Sequence, residues 1–291
     1  MSSRIVVIGD AMLDVIVRPL GPVAPTSDTP SRVRISRGGS AANMAVTLAR
    51  HHDVTYVGVV GDDESGAMFA RDLERERVTP RLETVSGSTG VVVALVDRDG
   101  QRAMMTDRGV NCELSLAHVR AALADHFDHL HVSGYTVLDD ATRAIASEAL
   151  DLSRARGAST SVDTCSLAPL EKLGAGVFLH AIGPVTMLFA NEEEALALAN
   201  DADIATASER LAQGVDELII TRGANGALVI RGDDHWHADA MPVEVLDTTG
   251  AGDAATGSYL AARLTGVGCD VALELAMANA ATVVGHLGAS D

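Results

Sequence analysis

Residues 247–257 read "DTTGAGDAATG". Gly250 and Gly252 flank one small residue, Ala251, and a carboxylate, Asp253, follows where a helix should begin. Glycines let backbone N–H groups approach a ligand without a Cβ in the way. The free N–H groups of a helix's first turn, with the helix dipole behind them, attract an anion. The stretch can therefore form an anion hole with an acid beside it. A carboxylate next to a bound anion is electrostatically poor unless it has a task, and the obvious task is to take a proton from a hydroxyl that attacks the anion. Taken alone, the same residues also describe a glycine turn with Asp253 capping a helix.

What surrounds the stretch narrows the chemistry. The chain has one lysine, Lys172, and no GxxxxGK[ST], so a P-loop is excluded. The strand lysine of protein kinases is missing, and no GxGxxG follows the first apolar run. A phosphotransferase built from this chain must draw its positive field from backbone amides, Mg²⁺ and an arginine.

The elements that must carry these residues alternate. "RIVVIGD" reads as a strand buried on both faces. "GGSAANMAVTLAR", "DESGAMFARDLERER", "ATRAIASEALDLSRARG", "NEEEALALA" and "VALELAMANAATVVGHL" read as helices, and "VTYVGVVG", "HLHVSG", "STSVD", "TMLFA", "ELIITRG" and "VEVLD" as strands. Strand–helix alternation predicts an α/β fold, a mostly parallel sheet covered by helices. Residues 15–37, with four prolines between β-rich ends, and residues 90–106, with a hairpin turn at "DRDG", lack helices and predict a small second sheet. The uncharged run 173–191 holds three glycines and Pro184, so it reads as a loop leading to a strand and not as a membrane span.

The 291 residues suit one large α/β domain. A net charge of −18 repels nucleic acid and anionic membranes, which excludes both as partners. Cys112, Cys165 and Cys269 are far apart and show no metal or redox spacing, and the chain opens without a signal-peptide pattern, so a cytoplasmic protein with free thiols is expected. The pairs His51–His52, His129/His131 and His235/His237 have no third ligand at zinc-like spacing and read as surface or strand residues.

With these residues in view, the chain resembles the ribokinase-like (PfkB-type) carbohydrate kinases. "DTTGAGDAATG" resembles their C-terminal signature and "RGGSAANMAVTLAR", residues 37–50, their N-terminal one; the likeness spans the whole chain, residues 1–291. It implies a three-layer α/β/α fold with a β-sheet lid at about 15–37 and 90–106. It also implies ATP-dependent phosphorylation of a small carbohydrate, a ribose-like sugar or sugar acid. Asp253 would be the base, and Gly250, Ala251 and Gly252 would supply the anion-hole amides, as the local reading also suggests.

The resemblance further implies that Asp14, past the first strand, accepts hydrogen bonds from acceptor hydroxyls, with Asp10 as a competitor for that role. Gly38, Gly39 and Asn43 would form the other acceptor wall, and Asn111 in "DRGVN" would reach the acceptor or serve a turn. Met12 stands where ribokinases often have Asn, and Ser40 where they commonly have Lys. "NEEEA" resembles the family's NxxE element: Asn191 would lie on the nucleotide side and Glu194 would organise Mg²⁺ through water, while a helix cap explains the same residues. Thr221, Gly223, Gly226 and Asn279 would meet the nucleotide. Some relatives need a monovalent cation, and lid-to-lid homodimers are common.

For the acceptor, the lid segments contain no Phe, Tyr or Trp to stack on a base, which ranks a plain sugar above a nucleoside. Tyr135 or Phe69 would have to compensate. A phosphorylated sugar needs a basic cluster, for which Arg37, Arg102 and Arg108 are the candidates. A sugar-binding protein without catalysis would be expected to have lost Asp253.

Overall fold

The computed structural model describes residues 2–97, 102–243 and 250–285, without the side chain of residue 102. Thirteen strands form two sheets among the described residues: β1 (Arg4–Ile8), β2 (Met12–Pro19), β3 (Ser31–Gly38), β4 (Asp53–Gly61), β5 (Val78–Val85), β6 (Gly90–Val96), β7 (Arg102–Asp107), β8 (His129–Ser133), β9 (Ser159–Asp163), β10 (Met187–Asn191), β11 (Glu217–Thr221), β12 (Ala227–Arg231) and β13 (Asp234–Ala238).

The larger sheet runs β13-β12-β11-β10-β9-β8-β1-β4-β5. It is parallel from β5 through β11, and only β12 and β13 are antiparallel. Its central strands are buried on both faces, which is why they read as unbroken apolar runs. One face packs against helices Ser40–Ala49, Glu64–Arg75, Ala251–Leu264 and Cys269–Val284 through a core holding Met44, Tyr56, Phe69, Tyr259 and Leu273. The other packs against helices including Arg143–Ala155 and Glu192–Ala199 through Leu130, Leu150, Phe178 and Leu198. Side chains of this size stabilise the fold by about 1.5–3 kcal/mol each when fully buried. Tyr259 also donates to Glu217, which Arg263 pairs, so its hydroxyl is not orphaned in the core.

The second sheet is the expected lid, in the order β3-β2-β6-β7. β2 pairs antiparallel with β3 and parallel with β6, and β6 pairs antiparallel with β7. Alternation gives it two unlike faces. Asp14, Val92, Met104 and Thr106 lie over a cavity in the main body. Val15, Val17, Val33, Ile35, Val93, Leu95, Ala103 and Met105 share the other face by register.

One local expectation is corrected. Residues 175–182 are a helix, Ala175–Ile182, and not a loop: Gly174 and Gly183, both at positive φ, bracket it and bury Phe178 and Ile182 beneath it. β5 was not legible in the sequence: it is an edge strand carrying Pro80 and charged residues on its exposed side, so it lacks the apolar run of its neighbours. His129 and His131 are strand residues as expected, yet both lie in the core, hydrogen-bonded to Ser159 and Ser161. The turn at "DRDG" beyond Asp97, most of "VEVLD", and Asp247, Thr248 and Thr249 of the opening motif lie outside the described residues. So do the last residues, 286–291.

Candidate active site

The main sheet sets the site by its carboxyl edge. Ser133, Asp163, Asn191 and Thr221 are the last residues of β8, β9, β10 and β11, and Ser133 pairs with Asp163 and Asn191 with Thr221 in register. All four line one cavity of about 500 Å³, roofed by the lid. Ligands in open α/β sheets bind beyond these strand ends.

Gly250, at φ 76°, caps the Ala251–Leu264 helix, so Gly252 and Asp253 fall in its first turn. A Cβ on Gly252 would meet no protein atom within 4 Å, which leaves room for a ligand against its amide. Asp253 is held at both oxygens from the Ser40–Ala49 helix. Ser40 Oγ donates to Oδ1 at 2.7 Å and Asn43 Nδ2 to Oδ2 at 2.9 Å. The two sequence signatures thus meet at the acid.

Asp14, Gly39 and Asn43 line the cavity as expected. Gly39 must be glycine: its φ is 90°, and a Cβ would sit 2.5 Å from the Asp10 carbonyl. Gly38 is placed differently. It does not line the cavity but backs the Asp14 carboxylate, which a Cβ there would strike at 2.1 Å. Of the two roles open to Asn111, reaching the acceptor or serving a turn, its placement agrees with a structural one. It is buried outside the cavity lining, with Oδ1 accepting from Ala11 N at 2.8 Å and Nδ2 donating to the Ala11 and Arg108 carbonyls, so it braces the backbone after β1. Asp10, two residues past that strand, accepts two hydrogen bonds from Arg108, and Arg108 also pairs with Asp139. Burial raises the Asp10 carboxyl above the ordinary carboxylate range even so.

Asn191 and Glu194 form a complete capping box: Asn191 Oδ1 accepts from Glu194 N at 2.8 Å, and Glu194 Oε2 accepts from Asn191 N at 2.9 Å. Both still line the cavity, so the structural reading and the ligand reading hold together. Burial holds Glu194 above its ordinary pKa. Asp163, which the sequence reading passed over, is pushed well up by burial and then by Glu194 and Asp253. The signal was present: a lone carboxylate closing a buried parallel strand. Three carboxylates thus converge at the strand edge, and no cation among the described residues lines that end. This arrangement, with open space at Gly252, fits a hydrated divalent cation bound with a phosphate chain. No three acidic, histidine or cysteine side chains among the described residues stand close enough to ligate a metal directly.

A second groove holds Thr221, Gly223, Gly226, Met241, Pro242, Val243, Ala251 and Gly252, with Met277, Ala280, Ala281 and Val284 of the last helix. Gly226 is at φ 78°, and a Cβ there would meet the Ala238 carbonyl at 2.0 Å. The groove and the cavity share Thr221 and Gly252. Asn279 does not belong to this groove, contrary to expectation. It points to the neighbouring helix, donating to Ser258 Oγ at 2.7 Å and Ala254 O at 3.3 Å, while residues two places before and one place after it face the groove. Arg222 pairs with Glu192. Phe69 is locked in the core against Tyr56 and cannot serve an acceptor, whereas Tyr135 lines the cavity.

The family profile described as pfkB family carbohydrate kinase matches residues 2–291. The chain belongs to the pfkB family of carbohydrate kinases. It is an ATP-dependent sugar kinase, a phosphotransferase with an alcohol acceptor. It is 33% identical over 275 residues, 91% of this chain and 87% of the other, to an ATP-dependent ribose-1-phosphate kinase of Halopiger xanaduensis. It is 27% identical to the ribokinase of Bacillus subtilis, over 98% of this chain and 94% of that one. Among solved structures, the ribokinase of Thermotoga maritima superposes with a TM-score of 0.81 at 24% identity, over 99% of this chain and 94% of that chain. A putative ribokinase II of E. coli, in complex with ATP and Mg²⁺, gives 0.86 at 23%, over 99% and 94%. Both confirm the three-layer fold and lid. No helix among the described residues is long and apolar enough to cross a membrane.

Proposed function

We propose that this kinase transfers the γ-phosphoryl group of ATP to a hydroxyl of a ribose-like sugar, with Asp253 as the base. The observation that carries this is the meeting of two recesses at one turn: the lid-covered cavity and the apolar groove share Gly252, next to the doubly held Asp253. The nucleotide lies in the groove, its base against Met277, Ala280 and Ala281 and its phosphates toward Thr221 and Gly223. The acceptor lies in the cavity, with hydroxyls on Asp14 and near Asn43. Asp253 accepts the proton of the attacking hydroxyl. The amides of Gly250, Ala251 and Gly252 hold the transferring phosphoryl, and lid closure excludes water. Asp163, Glu194 and, through its cap, Asn191 would hold the waters of Mg²⁺, which neutralises phosphate charge when bound.

The cavity's charge supports a neutral acceptor over a sugar acid. Among the described residues it is lined by Asp10, Asp14, Asp163, Glu194 and Asp253 and by one cation, Arg108, already shared between two aspartates. The lid supports a second reading, a sugar phosphate. Arg18, Arg32 and Arg34 share by register the face that carries Asp14, and the Halopiger xanaduensis relative is named for ribose 1-phosphate. ADP release with ATP and Mg²⁺, with and without K⁺, across sugars, sugar acids, nucleosides and sugar phosphates separates these. Turnover confined to sugar phosphates overturns the first reading and supports the second.

We infer that the lid's apolar outer face pairs with a second copy of this chain. Val33 and Ile35 are each 59% exposed there and Met105 53%. A self-complementary apolar sheet face suits a two-fold contact. The three cysteines are free, which supports a cytoplasmic setting.

A further inference from the structure

Arg37 is a buried cation that the transfer chemistry above leaves without a task. It is 4% exposed, on β3 opposite Leu13, and lines neither the cavity nor the nucleotide groove. Burial lowers its pKa, while Asp72, Glu76 and Asp14 act the other way. Its Nη1 donates to Asn43 Oδ1 at 2.9 Å. Asn43 Nδ2 in turn donates to Asp253 Oδ2 at 2.9 Å.

A carboxamide has two ends of nearly equal size and opposite polarity, and its partners decide which way it faces. A guanidinium can only donate, so Oδ1 must face Arg37. Nδ2 is then obliged to face Asp253. Were the amide to turn over, its carbonyl oxygen would oppose a carboxylate oxygen, and the carboxylate would swing off that support. The backbone does not prevent the turn: the main-chain bonds of Asn43, from its N to Gly39 O and from Thr47 Oγ1 to its O, fix the helix and leave the side chain free to rotate.

We propose that Arg37 is a positioning residue for the phosphoryl-transfer base, setting the orientation of the Asn43 amide so that it donates to Asp253. The chain of hydrogen bonds runs from a buried cation through a polarised amide to the acid. Ser40 holds the other oxygen independently, so Asp253 keeps one support when Arg37 is lost. The role rests on Asp253 being the base, the reading proposed above.

The test is a double-mutant cycle on kcat with the acceptor found in the panel. Arg37→Met should lower kcat about tenfold and leave the KM for ATP unchanged, because Arg37 does not line the nucleotide groove. Arg37→Lys, which can still donate to Oδ1, should recover part of the loss and keeps the test open if the Met variant does not fold. Asn43→Ala combined with Arg37→Met should be no slower than Asn43→Ala alone, since Arg37 has nothing left to orient. Additive losses, or an Arg37→Met kcat equal to wild type, overturn the proposal. Asp253→Asn, run beside the cycle, isolates the underlying reading. Full turnover there removes the base, and with it the proposal; loss of turnover there with an additive cycle removes only the role of Arg37.

Discussion

Ser40 and Asp253 are 213 positions apart, and Ser40 Oγ donates to Asp253 Oδ1 at 2.7 Å. The contact joins the first residue of the Ser40–Ala49 helix, just after the lid strand β3, to the first turn of the Ala251–Leu264 helix. It also gives Ser40 a use that its departure from the lysine common in ribokinases left open. Asp253→Asn should lower kcat by about 10²–10⁴, the usual contribution of a general base, with little change in acceptor binding by calorimetry. Retained turnover would remove Asp253 as the base.

Asp163 sits among like charges in a buried position. Its carboxyl is raised by burial, Glu194 and Asp253, so its ionised form costs stability in the empty enzyme. A raised folded pKa means stability that is complete at low pH and declines as pH rises through the folded value. Asp163→Asn should therefore raise the Tm of the ligand-free protein at neutral pH while lowering kcat. Scanning calorimetry with a Mg²⁺·ATP assay checks both; a lower Tm would contradict the repulsion argument.

His129 and His131 act in the opposite direction. Burial holds both at about 3, and His131 and then His52 add to the lowering at His129. Their folded values lie below the unfolded 6.5, so the stability they contribute is present above about pH 6.5 and is lost as pH falls toward 3. Tm should fall steadily over that window. Replacing His131 with Gln, which keeps a partner for Ser161, should flatten the fall; an unchanged slope would show that these histidines are not the acid-labile groups.

The last helix separates two expectations. Ala281→Phe should fill the apolar groove and raise the KM for ATP several-fold, leaving the acceptor KM near wild type. Asn279→Ala should leave the KM for ATP unchanged, because its amide bonds Ser258 on the far side. Steady-state kinetics varying ATP and acceptor separately read both.

Ile35→Glu places a charge in the exposed apolar face of the lid. Light scattering after gel filtration should show the wild-type chain as a dimer and this variant as a monomer. A monomeric wild type would leave that face without the proposed partner.

Local chemistry made much of this protein readable in its sequence. Apolar runs such as "RIVVI" and "TMLFA" announce strands buried on both faces, and "GAGD" announces a helix N-terminus with an acid in its first turn. "NEEE" announces a capping box whose residues Asn191 and Glu194 also line the cavity. What the tertiary structure decided was direction and company. Asn279 and Ala280 are adjacent in the chain, but 100° of helical rotation sends one to Ser258 and the other to the apolar groove. Asn111 could by its type reach the acceptor or serve a turn, and the fold bonds its amide to the backbone around Ala11. Asp163 and Arg37 gain their meaning only from partners on other strands and helices. Residue type sets which bonds a side chain can make; which of them it does make depends on neighbours that only the folded chain assembles.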